Sequence, residues 1–390
     1  MKKPGTVAFL STYPPEECGI ATFTYDLVNA IDQYFPYFKT RIIAMEESDK
    51  EYEFDDKVIF KIKDSEPEDY ILIAKCVNES NIDIINIQHE FGIFGGKEGE
   101  YLELFLNNVE KPVVTTLHTV LPQPEEGQKK MIQKIAQKSE KLVALSNTAV
   151  QFLNNSYRVP EKKITVIHHG VPVYDSLSKK EAKLKFGLSD KIVVSTFGLI
   201  NPGKGIEYVI EAVSLLVERY PNIIYLILGK THPKAKKFYG EEYRERLMKQ
   251  VKDLNIENNV VFVNKYLTKE ELLEYLTATD IYITPYLNRD QICSGTLAYA
   301  MGLGKAVIST PYLYAEEMLR DRRGILVEFR NSKAIFKAID KILKDPEFMK
   351  TLEKNALNFG KQMRWPYVAF KYVDLFKSLI GIPKTVEISY

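Results

Sequence analysis

Short apolar runs alternate along nearly the whole chain with stretches whose apolar residues recur at helical spacing. In the first half, Val7–Ser11, Arg41–Ala44, Val58–Ile62, Ile84–Gln88, Val113–Leu117, Leu142–Leu145 and Thr165–His168 read as strands. Between the first two lies Ile20–Phe35, with Ile20, Phe23, Leu27, Ile31 and Tyr34 on one helical face. A second series supplies the strands Ile192–Phe197, Ile223–Leu228, Val260–Val263, Ile281–Thr284, Ala306–Ser309 and Ile325–Glu328. The pattern lapses between them, over Val171–Asp190, which reads as a connection. Alternation of this kind predicts an α/β fold with parallel sheets. It predicts two Rossmann-like domains, 1–175 and 188–364, facing a cleft. The closing helical patterns Phe348–Met363 and Tyr367–Leu379 are divided by Trp365-Pro366, which must break or kink the helical path.

At 390 residues, two domains are the default, and 45% hydrophobic residues suit a soluble globular chain. Lys plus Arg (53) nearly cancels Asp plus Glu (52), so the balance does not favour nucleic acid. Cys18, Cys76 and Cys293 are far apart and lack metal-ligand spacing, which points to isolated thiols in a reducing compartment. Met1-Lys2-Lys3 is basic, but the apolar run behind it is too short for a signal peptide, and no stretch reaches membrane-spanning length. A cytoplasmic location is expected. The lysines of Gln128–Lys141 (Lys129, Lys130, Lys134, Lys138 and Lys141) read as a solvated face, with peripheral membrane contact as the alternative.

Candidate chemistry gathers behind the strands. Gly198-Leu199-Ile200-Asn201-Pro202-Gly203-Lys204-Gly205 joins a strand to a helix. A glycine turn there leaves amide N–H groups free at the positive end of the helix dipole, a seat for phosphate with Lys204 as a mobile cation. The spacing matches G-x-x-x-x-G-K, yet Gly205 stands where a P-loop NTPase needs Ser or Thr for magnesium. Ser294, Gly295 and Thr296 open another helix and form a second anion seat. Two seats behind strands of one half suit a diphosphate.

In the first half, the turn 12–22 carries Gly19, which lets the backbone approach a ligand. His89-Glu90-Phe91 opens a glycine-rich, partly aromatic loop suited to a sugar ring, and His118 ends another strand. His168-His169-Gly170 closes the half as a linker turn expected near the cleft floor. The histidines are not spaced as metal ligands and no D-x-D triplet occurs, so no metal or other cofactor is expected.

These residues resemble the retaining glycosyltransferases of family 4, which have the GT-B architecture. The resemblance spans essentially the whole chain. It rests on Glu17–Phe23, His118, the Gly198–Gly205 turn, Tyr299-Ala300-Met301-Gly302-Leu303-Gly304-Lys305-Ala306-Val307-Ile308, and Trp365 before the last helix. It implies transfer of a hexose from a nucleotide-diphosphate sugar of GDP-mannose or UDP-glucose type to a carbohydrate acceptor. The second domain would bind the donor and the first the acceptor, with the helix 365–382 packing back on the first. His118, Lys204 and Gln291 would serve the reacting centre. Gly19, Gly198, Asn201, Gly203, Lys204, Ser294, Gly295, Thr296 and Tyr299 would hold the donor diphosphate and nucleoside. His89, Glu90, Phe91, His169 and Asp290 would line the acceptor or sugar side. Leu199 replaces an arginine usual in that family, and Gln291 and Tyr299 stand where it usually has glutamates. Those departures leave room for a sugar-phosphate donor, a 2-epimerase-type enzyme or a binding protein without turnover.

Overall fold

The computed structural model describes residues 5–47 and 49–382, so the basic start Met1-Lys2-Lys3 lies outside the described residues. The chain divides into two compact units, Met1–Gly170 with Trp365–Tyr390, and Val171–Arg364.

The first unit holds seven strands: β1 (Thr6–Ser11), β2 (Lys39–Glu46), β3 (Val58–Lys63), β4 (Ile84–His89), β5 (Val113–Leu117), β6 (Lys141–Ala144) and β7 (Ile164–Val166). Their order is β3-β2-β1-β4-β5-β6-β7, and every pairing is parallel. Val7, Ala8, Phe9 and Leu10 in the central β1 are fully buried, as the apolar run of a strand covered on both faces requires. The helix Gly19–Tyr34 buries Phe23, Leu27 and Ile31, and is capped by the Cys18 sulfur, which accepts from the Ala21 amide at 3.2 Å.

The last helix, Trp365–Leu379, belongs to this unit. Its Tyr372 hydroxyl meets Thr116 Oγ1 at 3.0 Å, and Phe376 packs against Phe9 and Phe38. The helical path ends at Gly360, makes a 3-10 turn over Lys361–Met363, and restarts with Pro366 in the first turn, where a missing amide costs nothing.

The second unit holds β8 (Ile192–Phe197), β9 (Ile223–Leu228), β10 (Val260–Val263), β11 (Ile281–Thr284), β12 (Ala306–Ser309) and β13 (Ile325–Leu326). The order is β10-β9-β8-β11-β12-β13, again with every pairing parallel. Strand order reverses between β1 and β4 in one sheet and between β8 and β11 in the other. In open parallel sheets such switch points lie where ligands bind, beyond the carboxyl ends.

The patterns misjudge three ends. β7 stops at Val166, so His168 lies beyond it, and β13 is two residues long. The lysine-rich helix runs Glu126–Lys138, and Lys141 already begins β6. Val171, read as the start of a connection, is fully buried in the second unit, where its amide donates to Met363 O at 2.8 Å.

Candidate functional site

The second unit brings the two expected anion seats together. Lys204 lies in a 3-10 turn behind β8, and its Nζ stands 3.9 Å from the centroid of the Tyr286 ring. Tyr286, behind β11, is 1% exposed and stacks on Tyr312. Its hydroxyl meets Thr296 Oγ1 at 2.6 Å, and Thr296 Oγ1 meets Ser294 Oγ at 3.0 Å. Ser294 caps the helix Gly295–Gly302 by accepting from the Leu297 amide. A lysine, a phenol, two hydroxyls and a helix start thus form one continuous cluster. A β-carbon on Gly198 would stand 3.4 Å from Thr296 Cγ2 and 3.8 Å from Lys204 Nζ, so Gly198 faces the same spot. Among the described residues Lys204 has no ion-pair partner.

The glycine turn departs from expectation. Most of its amides are already used: Gly198 donates to Leu228 O, Ile200 to Lys230 O, Gly203 to Asn201 Oδ1, Lys204 to Asn201 O and Gly205 to Pro202 O, while the first helical amide, Ile206, donates to the Tyr243 hydroxyl. Asn201 and Gly203 therefore hold the turn together, because a tight 3-10 turn satisfies its own donors. The cation remains. Gly205 has φ +62°, and a β-carbon there would lie 2.2 Å from Pro285 O. The missing P-loop hydroxyl has a steric cause, since the turn is pressed against the β11 loop, where Leu287 N–H donates to Gly203 O at 2.9 Å.

Gln291 and Tyr299 sit as the local packing demands. Gln291 Nε2 donates to Cys293 O at 2.9 Å, which shapes the loop before Ser294. Tyr299 is 7% exposed within the apolar cluster, its ring 6.3 Å from Phe197. The helix is buried on every side from Leu297 to Gly302, and Tyr299 packs with it in the core. Asp290 is exposed in the loop behind β11.

Two features of this unit carried no sequence signal. One is the Tyr286 platform. The other is Arg244, 4% exposed, which donates from Nη2 to Gly229 O at 2.8 Å and from Nε to Thr231 Oγ1, and pairs with Glu241. Gly229 abuts the phosphate turn so closely that a β-carbon would lie 2.1 Å from Gly198 O. Only a fold that returns to the same place reveals such pairs.

The first unit assembles a different cluster. Phe23 meets the rings of His118, His169 and Trp365 edge-on, with centroids 4.9, 5.0 and 5.3 Å away. The His118 ring nitrogen Nε2 lies 2.7 Å from Gln88 Oε1, and the His118 amide donates to His89 O. His118 is half-buried. Burial, with His169 and His89 nearby, pushes its pKa down to about 3. Burial alone does the same to His89, to about 3, and lowers His169, whose Nδ1 lies 2.7 Å from Gly170 O. All three are neutral bases at neutral pH.

Glu90 accepts from the Thr119 hydroxyl and from the Phe91 amide. Gly19 is exposed, and a β-carbon on it would meet nothing within 4 Å. The lysine-rich helix stands apart, with Lys134 paired to Glu103 and Lys130 to Glu126. No helix is long and apolar enough to cross a membrane, and among the described residues no group of His, Cys, Asp and Glu is arranged to hold a metal ion.

Two parallel α/β units with these switch-point loops define the GT-B glycosyltransferase fold. Solved structures agree on it. Sucrose-phosphate synthase from Thermosynechococcus elongatus is similar with a TM-score of 0.77, at 17% identity, over 97% of this chain and all (100%) of that one. The Anabaena protein HepE, solved in complex with UDP and glucose, is similar at a TM-score of 0.75 and 15% identity, over 96% of this chain and 100% of that one.

In sequence, residues 19–174 match the family model "Glycosyltransferase Family 4" and residues 178–359 match "Glycosyl transferases group 1". The first half thus resembles the family 4 glycosyltransferases and the second half the group 1 glycosyltransferases. It is 28% identical over 252 residues to an uncharacterized glycosyltransferase of Methanocaldococcus jannaschii, a stretch covering 63% of this chain and 60% of that relative. The match therefore spans less than two thirds of the relative's own length.

Proposed function

We propose that the protein is a retaining glycosyltransferase that moves a hexose from a nucleotide-diphosphate sugar, of GDP-mannose or UDP-glucose type, to a carbohydrate acceptor. The observation that carries this reading is the continuous cluster Lys204–Tyr286–Thr296–Ser294 at the switch point of the second sheet. It sets one ammonium beside the start of a helix, the arrangement a diphosphate calls for. The UDP and glucose bound by the similar HepE support a nucleotide and a sugar as ligands.

In the reaction, the bond between the anomeric carbon and the diphosphate oxygen breaks, and its electron pair stays on the diphosphate. Lys204 and the first amides of the helix Gly295–Gly302 stabilise that growing charge, without a metal ion. The acceptor hydroxyl forms the new bond on the same face, and its proton passes to the leaving phosphate. His118, a neutral base, positions the sugar through hydrogen bonds and does not need to carry the proton.

A thermal-shift panel of GDP, UDP, ADP and their sugar conjugates tests the reading, since a ligand bound to the native state raises the melting point by mass action. One nucleotide family should stabilise the wild type and fail to stabilise Lys204→Ala. No stabilisation by any of them would sink the assignment. Gln291 and Tyr299, where glutamates are usual, favour one second reading, a 2-epimerase-type enzyme. Incubation with donor alone separates the two, because only the epimerase releases an altered sugar and free nucleotide without acceptor.

A further inference from the structure

Two consecutive side chains at the start of the helix Glu242–Asp253 hold both flanks of the phosphate turn. The Tyr243 hydroxyl accepts from the Ile206 amide at 3.2 Å, where the next helix begins, and donates to Glu207. Arg244 takes the other flank. Its Nη2 and Nε donate to Gly229 O and Thr231 Oγ1, so the guanidinium grips the segment 229–231 at two points. That segment is laced to the turn. Gly198 N–H donates to Leu228 O and Ile200 N–H to Lys230 O, both at 2.9 Å, and His232 N–H returns to Ile200 O at 2.9 Å. Thr231 forms a β-bridge with Ile200. Next in the chain, Asn201 accepts from Gly203 N–H through Oδ1 and from Lys204 N–H through its carbonyl. A continuous path of bonds thus joins Arg244 to Lys204, whose ammonium stands over the Tyr286 ring.

Arg244 is costly to keep there. It is 4% exposed, and among the described residues its Nη1 has no acceptor. Burying a guanidinium with an unmatched donor lowers stability. Its carboxylate partner Glu241, 3.4 Å from Nε, is shared with Lys236 at 3.2 Å. An apolar side chain could fill the same space without that cost. What it could not supply is a rigid fork that fixes a carbonyl and a hydroxyl at once. Nor could lysine, whose ammonium is a single point on a flexible stem. Enclosed as it is, the guanidinium acts on a ligand only through the segments it holds.

On the diphosphate reading above, we infer that Arg244 is a positioning residue: by pinning 229–231 against 198–200 it sets the place of Lys204, and with it the affinity for a nucleoside diphosphate. It touches no ligand itself. Fixed charge is effective only where it is correctly placed, and a misplacement of about 1 Å caused by a distant residue can cost roughly a hundredfold.

Two measurements on the full chain test this. Hydrogen exchange of the unliganded protein reads the bracing: in Arg244→Lys the amides of 198–204 and 229–232 should exchange about tenfold faster, while those of β1, β4 and β5 keep wild-type rates. Calorimetry with UDP, GDP and ADP, beside ligand-observed NMR with uridine, guanosine and adenosine, reads the consequence. The diphosphate that binds wild type should bind Arg244→Lys about tenfold more weakly, whereas its nucleoside should lose less than about threefold. A merely structural role would weaken both alike. Thr231→Val removes the acceptor of Nε and keeps the β-branched shape. It should weaken diphosphate binding several-fold with the same selectivity, and it decides by the same criteria if Arg244→Lys fails to fold. Unchanged exchange over 198–204, an unaltered diphosphate affinity, or equal losses for diphosphate and nucleoside overturns the inference. Should wild type prefer the diphosphate and Arg244→Lys keep that preference in full, the positioning role alone falls. A wild type that binds no diphosphate better than its nucleoside, or a Lys204→Ala that binds it as tightly as wild type, sinks the diphosphate reading and this inference with it.

Discussion

The loops behind the two sheets match their polar groups differently, although each unit buries some unpaired atoms: His89 and Trp365 Nε1 in the first, Arg244 Nη1 and the Tyr282 and Tyr314 hydroxyls in the second. Behind β8 and β11, most polar groups already have partners: the turn amides bond within the turn and to its neighbouring loop, Asn201 caps, and Tyr286, Thr296 and Ser294 bond in series. Behind β4 and β5, polar atoms are buried without partners, and the histidines are held neutral. A satisfied network is rigid before any ligand arrives, which suits stabilisation of charge that appears during a reaction. An unsatisfied one costs stability. The bonded series Tyr286–Thr296–Ser294 fits a fixed diphosphate seat.

The sharpest way to break this contrast is Lys204→Ala. Losing a positioned cation of this kind typically raises a barrier by about 3 kcal/mol, around a hundredfold in turnover. A rate within a few-fold of wild type would remove the seat. Next comes Gly205→Ser, which restores the P-loop signature by letter. The φ of +62° and the Pro285 carbonyl predict lost stability instead, by roughly 1–3 kcal/mol in denaturant melts, and no gain of NTPase activity. Magnesium-dependent hydrolysis by this variant would show the turn to be far more pliable than described.

His89→Phe addresses the first unit. It replaces two unpaired buried nitrogens with carbon, so the protein should become more stable, by about 1 kcal/mol. The pH dependence should change too. His89 is held near pKa 3 in the folded state against about 6.5 when unfolded, so the unfolded chain binds the extra proton. Wild-type stability should be complete above about pH 6.5 and fall as the pH drops toward 3. The variant should show a shallower fall in acid melts, and an unchanged slope would mean that His89 is solvated. The smallest effect belongs to Tyr286→Phe. The ring stays beneath Lys204 and only the bond to Thr296 goes, so turnover should drop a few-fold, roughly 0.5–1.5 kcal/mol. Tyr286→Leu, which removes the ring as well, should cost more.

Much of this architecture is legible from the chain itself, for a physical reason. Buried parallel strands such as Val7–Ser11 and Ile192–Phe197 must be apolar throughout, and the glycine and hydroxyl residues that follow them mark the loops. The two phosphate-side segments are therefore visible as local patterns. Their shared partner Tyr286 is not, since it announces itself only by lying under Lys204. Arg244 likewise looks like a surface residue of a charged helix until its guanidinium is found against Gly229. The bonds that take up most of the turn's amides are hidden for a related reason. Glycine spacing shows where the backbone bends, but not which carbonyls, such as Leu228 and Lys230, come to meet it. Tyr299 shows the same limit, because a phenol in a helix reads alike whether it faces a ligand or the core.

The contact between Gly229 and Gly198 bears on any attempt to alter this protein by laboratory evolution. A β-carbon on Gly229 would run into the Gly198 carbonyl at 2.1 Å, and Gly198 holds φ +127°, so steric room fixes the first glycine and backbone conformation the second. Randomised libraries aimed at a new donor should leave both positions untouched and diversify the exposed rim at Asn288–Asp290. Clones that retain activity after unbiased mutagenesis should carry glycine at both sites.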